Sequence, residues 1–138
     1  MIQLLKQKMT ANSLTKTLQA LKLNSHDIIC MHGNLAISSQ VDARRGCDKV
    51  LTFFNELKRY FSKGAIFSPS FTYSVLSGSI FDVNNTESET GQFSEYFRKH
   101  FAISRTSHPV FSFSGVGKFA DCFDSYNSLD CFGENSIF

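Results

Sequence analysis

Two short apolar segments on either side of an amphipathic helix constrain the fold of this chain more than any other feature. The first runs from Asp27 to His32, and the second from Ala65 to Ser68, where Pro69 ends it. Both are too short for helices and read as buried strands. Residues 47–61 between them repeat apolar side chains at helical spacing: Val50, Leu51, Phe54, Leu57 and Phe61. Two strands joined by a long helix form a βαβ unit, which favours a parallel pair.

The rest of the chain adds elements around this unit. Helices are predicted over Thr10–Leu21 and Gly91–His100, a strand over Val110–Val116, and the start of a further helix at Gly117–Cys122. Ser70–Thr90 is a polar loop of a length that is often functional. The prediction is one α/β domain over residues 1–138, with a mixed, partly parallel sheet flanked by helices. Since sheets usually hold five or six strands, this one is expected to be incomplete.

Composition excludes several functional classes. The formal charge of +2, from 14 basic and 12 acidic residues, lacks the basic excess typical of nucleic-acid binders. No apolar run reaches the roughly 18–20 residues of a membrane span. The four cysteines show no C-x2-C spacing, so no metal site is predicted. Reduced thiols and the absence of a secretory signal predict a cytoplasmic protein.

Of the four histidines, His108 has the most distinctive setting. Pro109 holds it in an extended conformation, Arg105 lies close before it, and a predicted strand follows. Imidazole is the side chain best suited to proton transfer near neutral pH. His32 ends a predicted strand, at the carboxyl edge where α/β proteins bind ligands. From spacing alone, a structural role remains the commoner interpretation for both residues.

Two charged clusters leave alternatives open. Glu87, Glu89 and Glu95 are suited to an amine-bearing ligand, or they form a solvated acidic loop. Arg44 and Arg45 are suited to a ligand phosphate, or they form a solvated segment before the helix.

Five collinear segments together resemble one family. Arg105–Gly117 resembles its "RSlHPthSvaaiG", and Glu87–Arg98 resembles its "pSelGalsEafR". Phe132–Ile137 resembles "pfGegSpl", Met31–Leu35 lies where the family has "vHsSL", and Ser68–Thr72 resembles "mPTfT". The family is that of the aminoglycoside 3-N-acetyltransferases, also called the antibiotic N-acetyltransferases.

The resemblance implies a three-layer α/β/α fold and transfer of an acetyl group from acetyl-CoA to a small-molecule amine acceptor. It implies that His108 is the general base, supported by Arg105 and Ser112. The residues that it implies for coenzyme A binding are His32, Gly33, Asn34, Leu35 and Arg45. Those implied for acceptor binding are Thr72, Tyr73 and Glu95. A homodimer is an open option.

The chain departs from the family pattern in two places and in length. Gly33 and Asn34 replace the family's serine pair, and a glycine pair before the next helix is reduced to Gly46. The chain has half the family's usual length, and the other half supplies the carboxylate that orients the histidine. Three hypotheses therefore remain: an aminoglycoside acetyltransferase, an N-acyltransferase acting on an amino sugar of a glycan precursor, and an inactive truncated family member.

Overall fold

The computed structural model describes residues 11–41, 48–125, 130, 132–134 and 136. Its α-helices are α1 (Ala11–Ala20), α2 (Lys49–Tyr60) and α3 (Gln92–His100). Its strands are β1 (Ile28–Cys30), β2 (Ala65–Pro69), β3 (Ser104–Arg105) and β4 (Phe113–Gly117). Short 3-10 helices cover Leu35–Gln40, Ser74–Ser77 and Ala120–Ser125.

The four strands form one mixed sheet in the order β1-β2-β4-β3. The pair β1 and β2 is parallel, with Ile29 opposite Ile66, which confirms the parallel pair predicted from the βαβ pattern. The prediction that β1 is buried is wrong, because β1 is an edge strand in which Ile28 and Cys30 are exposed. The pairs β2–β4 and β3–β4 are antiparallel. The sequence did not predict β3, because a strand of two residues is too short to show an alternating pattern.

Helix α2 forms where local sequence and tertiary packing agree. Asp48 caps its start by accepting hydrogen bonds from the backbone N–H groups of Val50 (2.7 Å) and Leu51 (3.3 Å). Phe53, Phe54 and Leu57 form its buried face, whereas Leu51, which the sequence placed on the apolar stripe, is exposed. Lys58 and Arg59 lie in the last turn, where positive charge is favourable. The helix was predicted from residue 47, which lies outside the described residues.

Phenylalanine side chains build the core between the sheet and the helices. The ring of Phe54 packs against those of Phe93, Tyr96, Phe97 and Phe101, with centroid distances from 4.8 to 5.9 Å. Such ring pairs add about 0.5–1.5 kcal/mol beyond their buried area. The prediction that most of the phenylalanines fill the core is confirmed for the described residues, where eight of them are buried.

The other face of the sheet is covered by the 3-10 helix Ala120–Ser125. Phe123 packs edge-on against Phe67 of β2, with a centroid distance of 5.1 Å. It also lies over Gly115 of β4, where an added Cβ would come within 2.6 Å of the Phe123 ring. Glycine is therefore required in this strand so that the ring can approach the backbone. The prediction placed a helix start at residue 117, whereas β4 extends to that residue and the 3-10 helix begins at Ala120.

Candidate active site

The pairing of β2 and β4 continues beyond the ends of both strands and positions the candidate site. The Ser70 N–H donates to the Ser112 carbonyl (2.8 Å), and the Thr72 N–H donates to the Val110 carbonyl (3.0 Å). The alternating apolar and polar residues of 110–116 predict one strand from Val110. The structure assigns the strand from Phe113, yet these bonds keep the chain extended beside residues 70–72. His108 thus lies two residues before the last of these pairs, beyond the carboxyl end of β2.

The imidazole of His108 is half-buried and turns toward its own backbone. Its Nδ1 accepts hydrogen bonds from the N–H groups of Val110 (3.1 Å) and Phe111 (2.9 Å). The ring also lies 5.7 Å, centroid to centroid, from the ring of Phe111. Burial lowers the pKa of His108 below its ordinary value, and the charge of Asp130 opposes part of this shift. The ring is therefore neutral at physiological pH, the state in which an imidazole can accept or donate a hydrogen bond.

Arg105 connects the strand region of His108 to the long loop. Its Nε donates to Ser112 Oγ (2.9 Å), and its guanidinium donates to the carbonyl groups of Ser70 (2.6 Å) and Thr86. The guanidinium also lies 5.0 Å from the centroid of the Phe81 ring. Burial, with a contribution from nearby Arg98, lowers the pKa of Arg105 to about 10, so it remains charged at neutral pH. The structure thus brings Arg105 and Ser112 together, and their hydrogen bonds hold both ends of residues 70–86 in place.

Thr72 and Tyr73, two residues expected to contact the acceptor, share one carboxylate. Glu89 Oε1 accepts hydrogen bonds from the Thr72 hydroxyl (2.8 Å) and from the Tyr73 N–H (2.9 Å). These bonds lower the pKa of the Glu89 carboxyl below its ordinary value, that from the Tyr73 N–H most. Thr72 is fully buried, whereas the Tyr73 ring is exposed. In the sequence, Glu89 stands with two other acidic residues, and only the fold pairs it with Thr72.

Glu95, the third residue expected to contact the acceptor, is held by protein groups. Its carboxylate oxygens accept from the Arg98 guanidinium (2.7 and 2.8 Å), and one of them also accepts from the Ser88 N–H (2.8 Å). Burial raises the pKa of Glu95, but the hydrogen bonds from Arg98 and Ser88 outweigh it and lower the pKa. The Glu95 side chain therefore fastens the loop to α3.

A cavity of about 600 Å³ lies beside the amino end of α3. Its lining is Leu35, Glu87, Ser88, Glu89, Gly91, Gln92, Glu95, Tyr96, Lys99 and His100. It contains all three glutamates of the acidic group, of which Glu95 is paired with Arg98, and it also contains Lys99 and His100. Its volume suits a drug-sized molecule. His108 is not among the lining residues.

The turn after β1 lies next to this cavity. The Met31 N–H donates to the Phe67 carbonyl (2.7 Å), so the parallel register continues past β1 and brings His32 level with Pro69. His32, Gly33 and Asn34 are exposed, and Leu35 is half-buried. Asn34 caps the 3-10 helix Leu35–Gln40 by accepting from the Ala36 N–H (2.8 Å).

A smaller cavity of about 260 Å³ opens between this turn and the start of α3, lined by Gly33, Asn34, Leu35, Gly91, Gln92 and Phe93. About 10 Å along the strand direction separates the level of Pro69 from that of Thr72 and Val110. The turn and His108 thus lie beyond the same sheet edge but do not touch. Arg45, also expected at coenzyme A, lies outside the described residues.

In the described part of the chain, no helix has the length and apolar character needed to cross a membrane. No group of three or more histidine, cysteine, aspartate or glutamate side chains in these residues is placed to hold a metal ion.

One family pattern matches about two thirds of this chain. The sequence pattern of the aminoglycoside 3-N-acetyltransferases matches residues 44–138. This range contains His108, Arg105 and the acidic loop, and it excludes β1 and the turn that follows it. No match was found among curated proteins.

Solved structures share the fold at low sequence identity. The aminoglycoside acetyltransferase AAC(3)-Xa superposes with a TM-score of 0.71 at 20% identity, over 92% of this chain and 50% of its own. AAC-IIIb, solved as a binary complex with CoASH, superposes with a TM-score of 0.70 at 18% identity, over 92% of this chain and 53% of its own. The YokD protein from Bacillus subtilis superposes with a TM-score of 0.69 at 22% identity, over 92% of this chain and 58% of its own. The chain therefore spans about half the length of the proteins that it resembles.

Proposed function

The chain belongs to the aminoglycoside 3-N-acetyltransferase family, and from this premise we propose that it is a coenzyme A-dependent N-acyltransferase. It transfers the acetyl group of acetyl-CoA to an amine of an aminoglycoside, and so confers resistance to that antibiotic. The described residues share one core, which supports residues 1–138 as a single domain. We place this activity in the cytoplasm.

His108 is the proposed catalytic residue. The observation that carries this proposal is its position beyond the carboxyl end of β2, beside the last hydrogen-bonded pair of Thr72 and Val110. In α/β sheets, ligands bind in the crevice outside the carboxyl ends of the strands. Arg105 and Ser112 act as positioning residues, because their bonds to Ser70 hold the two segments of this edge together.

The turn from His32 to Leu35 is the proposed contact with coenzyme A. It is exposed, it lies at the same sheet edge, and it faces the first residues of α3 across the smaller cavity. Arg45 is proposed to contact a phosphate of the cofactor. The complex of AAC-IIIb with CoASH supports the choice of cofactor. No metal ion is required by this chemistry.

The acceptor is proposed to bind beside the acidic loop. Thr72, Tyr73 and Glu95 remain the proposed residues of this subsite, and the geometry adds Glu89, whose carboxylate is fixed by Thr72 and Tyr73. Aminoglycosides carry several ammonium groups, which the carboxylates of the larger cavity attract. The acceptor amine itself must lose its proton to attack the thioester, since an ammonium has no lone pair. In a homodimer, each of the two copies of the chain would carry its own acceptor subsite.

The proposed function is tested by incubating the purified chain with acetyl-CoA and a panel of aminoglycosides and amino sugars. Mass spectrometry detects the acetylated product without interference from the four cysteines. We expect a product with an aminoglycoside, and a loss of about 10²–10⁴-fold in rate for His108→Ala. His26→Ala, at an exposed histidine far from the site, is the matched control.

The same panel separates the alternatives. Product only with the amino sugars would favour an N-acyltransferase of glycan precursors. A chain that melts cooperatively but yields no product with any acceptor would contradict catalysis and favour an inactive family member.

A further inference from the structure

Two arginine side chains line a small polar cavity between the end of α3 and the strands β3 and β4. The cavity has a volume of about 110 Å³, and its lining includes Arg98 of α3, Arg105 of β3 and the hydroxyl residues Ser104 and Ser114. None of the described residues that line it is an aspartate or a glutamate. It shares no lining residue with the two cavities beside the amino end of α3. The cavity is therefore basic, and it is separate from those two cavities.

Arg105 carries a buried positive charge beside this cavity. Only 6% of the residue is exposed, and its side chain forms no ion pair within the described part of the chain. Burial, and after it the charge of Arg98, lowers the pKa of Arg105 to about 10, and the charges of Glu95 and Asp82 offset only part of this shift. Glu95 is already paired with Arg98. A buried charge without a counter-charge is costly, so an anion is favoured here.

The two guanidinium groups also have more N–H donors than the described residues have acceptors for. A guanidinium has five N–H groups. Arg105 donates four hydrogen bonds, to Ser112 Oγ and to the carbonyl groups of Ser70, Val83 and Thr86. Arg98 donates three, two to Glu95 and one to the Asn84 carbonyl. Seven of the ten N–H groups are thus used, and three remain for a further acceptor.

We propose that this cavity is an anion site, in which a small oxyanion of the phosphate class binds between the guanidinium groups of Arg98 and Arg105. A planar guanidinium presents pairs of N–H groups that match two oxygens of one oxyanion. A single water-sized ion such as chloride would fill only roughly 30 Å³ of the cavity. The cavity is smaller than the roughly 300 Å³ at which pockets for larger ligands begin. The ligand is therefore a free ion such as phosphate or sulfate.

An anion at this position would stabilise the loop before α3. Arg98 donates to the carbonyl of Asn84 (2.8 Å), and Arg105 donates to those of Val83 (3.4 Å) and Thr86. One arginine from α3 and one from β3 thus hold the same stretch of the loop, residues 83–86. Because their charges repel each other, an anion that attracts both strengthens this attachment. Binding to the folded state alone raises its stability as the anion concentration increases.

The site is tested by thermal melting of the full chain in increasing sodium phosphate, with the pH held constant and sodium gluconate keeping the ionic strength constant. We expect the melting temperature to rise by several degrees and to reach a plateau at millimolar phosphate. Sulfate should act similarly, and chloride should need a concentration at least about tenfold higher. A rise without a plateau, or the same rise with chloride, would be a general salt effect and would overturn the proposal.

A pair of variants locates the site. Arg98→Lys keeps a positive charge beside Glu95 but removes the planar group that binds two oxygens. Arg59→Lys is the matched control, because Arg59 also pairs with a glutamate three residues before it, Glu56. We expect Arg98→Lys to need at least about tenfold more phosphate for the same rise, and Arg59→Lys to respond like the wild type. Equal phosphate dependence in all three proteins would contradict a site at Arg98.

A second readout needs only the wild-type chain, should Arg98→Lys fail to fold. The 1Hε–15Nε signals of the arginine side chains are recorded during the phosphate titration. We expect the signals of Arg98 and Arg105 to shift together, with a common midpoint, and that of Arg59 to stay in place. A shift at Arg59 alone, or no shift at all, would exclude the site.

A bulkier probe distinguishes a free ion from the phosphate group of a larger ligand. Glucose 6-phosphate carries the same group on a sugar that the cavity has no room for, and we expect it to bind more weakly than inorganic phosphate. Tighter binding of glucose 6-phosphate would overturn the assignment to a free ion. None of these measurements uses acetyl-CoA or an acceptor, so their outcome is independent of the proposed function.

Discussion

The buried residues of this protein change from apolar to polar along the paired strands β2 and β4. At the amino end of β2, Ile66 pairs with Val116, and both face the phenylalanine cluster of the helices. Two residues further, Ser68 pairs with Ser114, and both are completely buried. The buried positions that follow are also small and polar: Ser70, Thr72 and Ser112. One face of the sheet therefore has an apolar half and a polar half.

The two halves are stabilised in different ways. In the apolar half, non-directional burial of rings supplies the free energy, and many side chains of similar size would serve. In the polar half, each buried hydroxyl needs a partner in a particular direction, as in the 2.6 Å bond between the hydroxyls of Ser70 and Ser114. Among the described residues, no buried polar side-chain atom lacks a hydrogen bond. The polar half thus fixes geometry, and it is the half that adjoins His108.

The largest expected effect is in the apolar half. Phe54→Ala removes the ring that contacts Phe93, Phe97 and Phe101, and we expect a loss of about 3–5 kcal/mol in the free energy of unfolding. Urea denaturation followed by circular dichroism measures it. Leu51→Ala, at a position on the same helix that is 45% exposed, is the control, with an expected loss of about 0.5 kcal/mol. Equal losses in both variants would contradict the assignment of the core.

A smaller effect is expected in the polar half. Arg105→Met keeps the apolar stem but removes the donors to Ser70 and Thr86, and we expect a loss of about 2–3 kcal/mol in the free energy of unfolding. Limited proteolysis should then cleave the loop at residues 79–90 faster than in the wild type. Arg59→Met is the control. It removes an exposed arginine whose ion pair with Glu56 contributes about 0.3–0.5 kcal/mol to the free energy of unfolding. If the loop were no more susceptible to cleavage in Arg105→Met than in this control, Arg105 would not be the residue that holds the loop in place.

The smallest expected effect is on the way the free energy of unfolding depends on pH. The Tyr73 N–H and the Thr72 hydroxyl lower the pKa of Glu89 in the folded state, so the unfolded state binds more protons as the pH falls. The stabilisation is complete above the unfolded pKa of about 4.3 and is lost as the pH falls through the lower folded pKa. Urea denaturation at a series of pH values should show a weaker acid dependence in Glu89→Gln than in the wild type. Glu134→Gln, at an exposed carboxylate elsewhere, is the matched control.

The sequence predicted much of the fold because long periodic segments carry their own signal. Helices α1, α2 and α3 and the strands β1 and β2 lie where the spacing of apolar residues placed them. It missed β3, which has two residues and exists only because Phe113–Gly117 offers an edge for pairing. Local sequence also could not distinguish Glu89 from Glu95, since both are glutamates in one polar segment. Arg98 lies three residues after Glu95 on α3 and neutralises it, whereas Glu89 meets Thr72 from across the loop.

By itself, the sequence determined the βαβ unit, the apolar stripe of α2 and the residues of the family motifs, because these depend on spacing along the chain. The tertiary structure decided which polar groups meet. Arg105 reaches Ser70 across 35 residues, and Ser70 reaches Ser114 across 44. The hydrogen bonds of His108 are local, but the structure was needed to show that its ring turns toward the backbone. A hydrogen bond depends on direction as well as distance, and direction is fixed only when the chain has packed.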